Sequence, residues 1–141
     1  MKRFLAYMFS VAIILLCTLC STDKGKLEDI ETYINERPDS ALQVLQSIDI
    51  SSLTINEVNH YHLLLARAKD KCYIDETDDS IMLGVVDHYK SKSDFIKLFR
   101  AYYYLGRIQQ NAGRDTDAMY SYTEAEQLLD HISDDYTKGL L

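Results

Sequence analysis

The chain has 141 residues, of which 15 are Lys or Arg and 22 are Asp or Glu, a formal net charge of −7. That length suits one domain, and an acidic balance with no cluster of Lys and Arg after Arg3 excludes nonspecific nucleic-acid binding, which needs grouped cations against phosphate. The three cysteines, Cys17, Cys20 and Cys72, are too few for a zinc site built on cysteines.

Lys2 and Arg3 precede an apolar run from Phe4 to Cys20 that only Ser10 and Thr18 interrupt. This is the layout of an exported leader, and the run is long enough to leave an uncleaved anchor open. Cys20 follows the run directly and precedes Ser21-Thr22-Asp23, which resembles the acylation site of bacterial lipoproteins. The resemblance implies that Cys20 carries the lipid and becomes the first residue of the mature chain. Thr18 and Cys20 also suit an ordinary cleavage site, so a secreted soluble product stays open beside the lipoprotein and the anchor. Without residues 1–19 the chain keeps 13 basic and 22 acidic residues, a charge of −9. Residues 21–141 form the folded domain in this reading. Cys72, on an apolar helical stripe, reads as a small buried hydrophobe.

Every periodic segment after residue 24 has the helical period and none alternates as a strand does. Leu27, Ile30 and Ile34 share one face of a first helix that stops near Arg37-Pro38. Pro38 opens a second helix, with Ala41, Leu45 and Ile48 inward. Thr54 and Glu57 have capping-box spacing at the start of a third, whose stripe is Val58, Tyr61, Leu65, Ala68 and Cys72. An acidic, solvated turn from Asp75 to Asp79 leads to a fourth helix marked by Ile81, Val85 and His88. Ser93 is placed to cap a fifth, with Leu98, Tyr102, Leu105, Gln109 and Ala112 on one side and Gly113 closing it. A sixth runs from Asp115 to about His131, and Ser133-Asp134-Asp135 starts a seventh, with Tyr136 and Leu140 inward. Short connections make neighbouring helices antiparallel.

Small and large residues alternate through the fifth and sixth helices. Gly106 and Ala118 fall where the two cross, and Tyr102 and Tyr122 fill the wider gaps. Tyr102, Leu105-Gly106, Ala118, Tyr122 and Ala125 together resemble the tetratricopeptide repeat, in which an aromatic stands three residues before a Leu-Gly pair and a small residue opens the second helix. Asp39-Ser40-Ala41-Leu42 is echoed by Asp79-Ser80-Ile81-Met82 and Thr116-Asp117-Ala118-Met119, at spacings of 40 and 37 residues. The resemblance implies an all-α, right-handed α-solenoid of about three antiparallel hairpins behind the leader of residues 1–20. A non-repeat helical bundle is the alternative topology.

Such an array implies a binding scaffold with a concave face lined by the first helix of each pair. Turning the stripes inward leaves Arg67, Lys71, Tyr103, Arg107, Gln110 and Asn111 on that face. These are candidates to hold an acidic peptide, with an ordinary solvated face as the alternative. The three consecutive tyrosines divide: Tyr102 within its hairpin, Tyr103 on the groove, Tyr104 against the preceding hairpin. His60 and His62, two apart on a helix, point to opposite sides and do not form a metal pair. The acidic turn lacks the glycine and ligand order of a calcium loop. No phosphate loop or nucleophile elbow is present, so the expectation is a non-enzymatic scaffold without cofactor, exported to the cell envelope and binding protein or peptide. The alternative is a detached sensory segment of a membrane signalling protein. The apolar end of the chain also suits self-association through the last hairpin.

Overall fold

The computed structural model describes residues 23–140, so the leader and the lipidation of Cys20 lie outside the described residues. Every regular element among the described residues is helical, and no strand occurs there. Helix α1 spans Asp23–Tyr33, α2 Pro38–Gln46, α3 Ile55–Lys71, α4 Ser80–Lys90, α5 Phe95–Asn111 and α6 Asp115–Glu126, and a single turn, α7, spans Asp135–Lys138. Among the described residues no helix is long and apolar enough to cross a membrane.

Local chemistry sets these boundaries. Pro38 begins α2, where its fixed φ suits the helix and its missing N–H is one the first turn leaves unbonded anyway. At α3 the capping box forms: the hydroxyl of Thr54 accepts from the Glu57 amide, and the Thr54 amide donates to Glu57 Oε2 at 2.8 Å. The cap of α5 is Asp94 rather than Ser93. Its carboxylate accepts from the Lys97 amide at 3.1 Å, and a charged acceptor is favoured at the positive end of a helix. Gly113, at φ 71°, ends α5 as expected, with the amides of Gly113 and Arg114 donating back to Gln110 and Gln109. The same pair of bonds ends α3, yet the left-handed residue there is Tyr73, at φ 58°. A side chain in that conformation crowds its own carbonyl, and the Tyr73 ring, 94% exposed, has little to pack on in return.

Each helix from α1 to α6 packs against the next, and α3 also touches α1 and α5. Leu27, Ile30, Ile34, Ala41, Leu45 and Ile48 meet Tyr61, Leu64 and Ala68 of α3 in one apolar cluster. Leu63 of α3 belongs to a second, with Met82, Val85, Val86 and Tyr89 of α4 and most of the buried side of α5. The inward faces of α1 and α2 are those the sequence predicts. On α3 the single expected stripe is too narrow. Asn59, Leu63, Leu64 and Arg67 are buried beside Tyr61 and Ala68, while Val58, Leu65 and Cys72 are half-buried, because this helix has neighbours on two sides.

Three further expectations need correction. On α4 the buried face is turned by one residue: Ile81 is exposed and Met82 takes its place, since α4 lies against both α3 and α5. Ala112 is exposed because α5 has already ended at Asn111. Helix α6 stops at Glu126, short of His131, where Leu128 and Leu129 turn onto the second cluster and carry Ile132 into it. The His131 ring then stacks on Phe95, with centroids 4.6 Å apart.

Helices α5 and α6 share the most extensive interface. A methyl group built on Gly106 would stand 2.6 Å from a ring carbon of Tyr122, so that ring lies directly over the missing side chain. Tyr122, expected beside the crossing, sits on it. Ala118 and Ala125 are buried to either side.

Gly106→Leu should therefore lower stability by roughly 1–3 kcal/mol through overpacking. Thermal melting would read this, and adding Tyr122→Ala should recover part of the loss. Tyr73→Gly should act the other way, raising the melting midpoint by relieving a strain on the order of 1 kcal/mol.

Candidate functional site

The expected groove residues do come together, on the side of the fold where α1, α3 and α5 lie next to one another, but most of them are already engaged. Arg107 Nε donates to Asp70 Oδ1 at 2.8 Å, and its Nη1 reaches Gln110 Oε1 at 3.4 Å. Gln110 also accepts from the Tyr122 hydroxyl at 3.1 Å. Asn111 donates to the Glu76 carbonyl at 3.3 Å, fastening the acidic turn to α5. Tyr103 is half-buried, edge-on to Tyr104 at 5.0 Å and tilted against Tyr122 at 6.0 Å. Arg67, expected on the groove, is only 3% exposed and donates from Nη2 to Asn35 Oδ1 at 2.8 Å.

The other tyrosines of the run divide as expected. Tyr102 donates to Glu124 of α6 at 3.2 Å within its own hairpin, and the ammonium of Lys90 lies 5.6 Å from its ring centroid. Tyr104 is 2% exposed, and burial pushes its hydroxyl well above the usual tyrosine range.

What covers Arg67 is the end of the chain. The segment after Ile132 crosses this face, its one helical turn capped by Asp134, which accepts from the Thr137 amide at 3.2 Å. In place of Tyr136, Thr137 is the inward residue; it is fully buried, and its hydroxyl bonds to Asp134 while Arg100 Nη2 donates to it at 3.2 Å. Leu140 is half-buried against the second cluster. Tyr136 lies on the rim: its hydroxyl donates to Asn35 Oδ1 at 2.8 Å, and Arg67 and Lys71 each lie 5.8 Å from its ring centroid.

A charged chain of contacts ties this segment to the helices. Arg100 of α5 pairs with Glu31 of α1 at 2.6 Å and stands 3.6 Å from Asp134. Glu31 in turn meets His60 of α3 at 3.1 Å. The hydrogen bond from His60, aided by the charges of His60, Arg100 and Lys97, outweighs the opposing effect of burial and holds the Glu31 carboxyl down to about 2. His60 is thus a hydrogen-bond partner between helices, whereas His62 rests edge-on against Tyr61 at 5.2 Å.

Two further polar groupings lie outside the face. Gln109, expected on the apolar stripe of α5, is buried and donates to Asp79 Oδ2 at 3.2 Å while accepting from the Ser121 hydroxyl at 2.7 Å; Arg114 closes the group by pairing with Asp79 at 3.0 Å. Asp79 is therefore not part of a solvated turn. It is 9% exposed, because the donors of Gln109 and Arg114 replace water at its carboxylate. Cys72, half-buried rather than buried, directs its thiol at Asp39 Oδ1, 3.3 Å away, and burial together with that carboxylate pushes the thiol up. A cleft of about 350 Å³ lies beside Leu27, His88 and Lys92, and Glu31, His60, Asp94 and Lys97 on its wall are already paired.

Because Glu31 is held down on folding, it contributes stability above the ordinary carboxyl value of 4.5, and that contribution is lost as pH falls toward 2. The shift alone corresponds to about 3 kcal/mol, and solvent screening of this partly exposed carboxylate reduces that to roughly 1–2 kcal/mol. Glu31→Gln should lower stability at neutral pH and flatten the acid limb of melting temperature against pH between those two values. A limb as steep as in the unaltered chain would show that this carboxylate does not bind α1 to α5.

Comparison of the chain with protein-family models, with curated proteins and with solved structures finds no match.

Proposed function

We propose that this chain is a non-enzymatic scaffold that binds a protein or peptide on the face formed by α1, α3 and α5, and that its six main helices are three tetratricopeptide-like hairpins stacked as a right-handed solenoid. One observation carries the reading. A short acidic turn of the chain itself, residues 134–140, lies across that face and is held there by Arg100, Asn35, Arg67 and Lys71. A surface that seats one such segment has the shape and donors to seat another. The stacking is supported by the contacts of α3 with both α1 and α5, which is how the first helices of successive pairs meet in an array. The small-residue crossing at Gly106 and Ala118 supports the hairpin.

The leader pattern of residues 1–20 and the position of Cys20 support export and attachment to the cell envelope by a lipid. In this arrangement the acidic surface of the domain stays soluble beside the membrane while the face points away from it toward partners.

A photoreactive amino acid at Gln110, exposed beside Arg107 on the binding side, should cross-link a partner protein in native envelope. The same group at Tyr120, which is 64% exposed on α6, should not. Equal labelling from both positions would count against a directed binding face.

A further inference from the structure

Arg67 and Lys71 are cations of the face without an anion among the described residues. Among the described residues neither makes an ion pair, although Arg100, Arg107 and Arg114 all do. Arg67 is the more telling of the two. It is 3% exposed, and among the described residues its side chain hydrogen-bonds the neutral amide of Asn35 while its buried Nη1 has no partner. A buried guanidinium without a carboxylate is costly, and one with an unused donor is more so. Asp70, the nearest acidic residue in sequence, is committed to Arg107.

The group that covers both cations is the ring of Tyr136. Its centroid is 5.8 Å from each, and its hydroxyl shares Asn35 Oδ1 with Arg67. An aromatic face is a weak counterpart for a cation compared with a charge-assisted hydrogen bond. Tyr136 is 42% exposed, whereas the buried Thr137 and Ile132 hold the segment in place from either side. The ring can therefore leave without the segment unfolding.

We propose that Arg67 and Lys71 form a subsite for the carboxylate of an acidic partner segment, that Tyr136 is a latch over it, and that partner binding exchanges the ring for an Asp or Glu side chain. This rests on the reading of the face as a peptide-binding surface and adds what the partner carries and how access is controlled. The exchange gives Arg67 Nη1 the acceptor it lacks and sets a full negative charge between two positive ones. The latch lowers apparent affinity by the fraction of time the ring is out of place.

Fluorescence anisotropy with the full-length protein and a labelled hexaglutamate peptide tests this, with hexaglutamine as the neutral control. Tyr136→Ala should bind hexaglutamate about fivefold or more tightly than the unaltered chain. Tyr136→Phe, which loses only the hydroxyl bond to Asn35, should show a smaller gain in the same direction. Adding Lys71→Glu should remove the gain, and rising salt should weaken binding throughout. Thermal melting of each variant establishes that it is folded. Equal affinity in the unaltered chain and both Tyr136 variants overturns the latch. Hexaglutamate binding no better than hexaglutamine, or binding indifferent to Lys71→Glu, overturns the subsite. Loss of the positional cross-link from Gln110 would instead remove the scaffold reading, whatever the titration gave.

Discussion

The arrangement depends on α3 being buried from two sides at once. Tyr61, Leu64 and Ala68 complete the cluster built by α1 and α2, and Leu63 points into the cluster built by α4 and α5. Neither cluster is closed without this helix, so the apolar packing of α1 and α2 is joined to that of α4 and α5 through it. A small helical pair cannot bury its own apolar side, and a shared helix is how two such pairs satisfy that need together. The polar edge of α3 that remains between the clusters carries Arg67, Asp70 and Lys71. The candidate face is thus the seam left over when α3 has been used on both sides.

Much of this was legible in the residues, and the exceptions have physical causes. Helices α1 and α2 have one partner side each, so period alone identified Leu27, Ile30, Ile34, Ala41 and Leu45. The capping box at Thr54 and the glycine at Gly113 are local signals and needed no knowledge of the rest of the chain. Period was misleading where a helix has two partners: on α4 it selected Ile81 over Met82, and on α3 it gave one stripe where two meet. At Gly106 the sequence located the tight contact but not what fills it, since whether an alanine or a tyrosine ring faces a glycine depends on the rotation of both helices.

The candidate face was half legible. Spacing brought Arg67, Lys71, Tyr103, Arg107, Gln110 and Asn111 together, because residues three and four apart are neighbours on a helix. It could not show that Asp70 neutralises Arg107, that Asn111 holds the acidic turn, or that residues 134–140 fold back over α1. Those contacts join positions 35 to 101 residues apart in the chain. The Glu31, Arg100 and Asp134 pairing is of the same kind. No local signal links its members, and only the return of the chain end turns them into a connected set.

The buried group of Gln109, Asp79, Ser121 and Arg114 has a consequence for how this protein can change over generations. Gln109 uses both ends of its amide, one on Asp79 and one on Ser121, so replacing it alone strands two polar groups at once. Asp79 cannot be lost alone either, for Arg114 would then lack its counter-charge. The four positions are therefore inherited as a block. Drift to an apolar cluster requires several substitutions together, and descendants that have crossed that barrier should be recognisable by having altered all four.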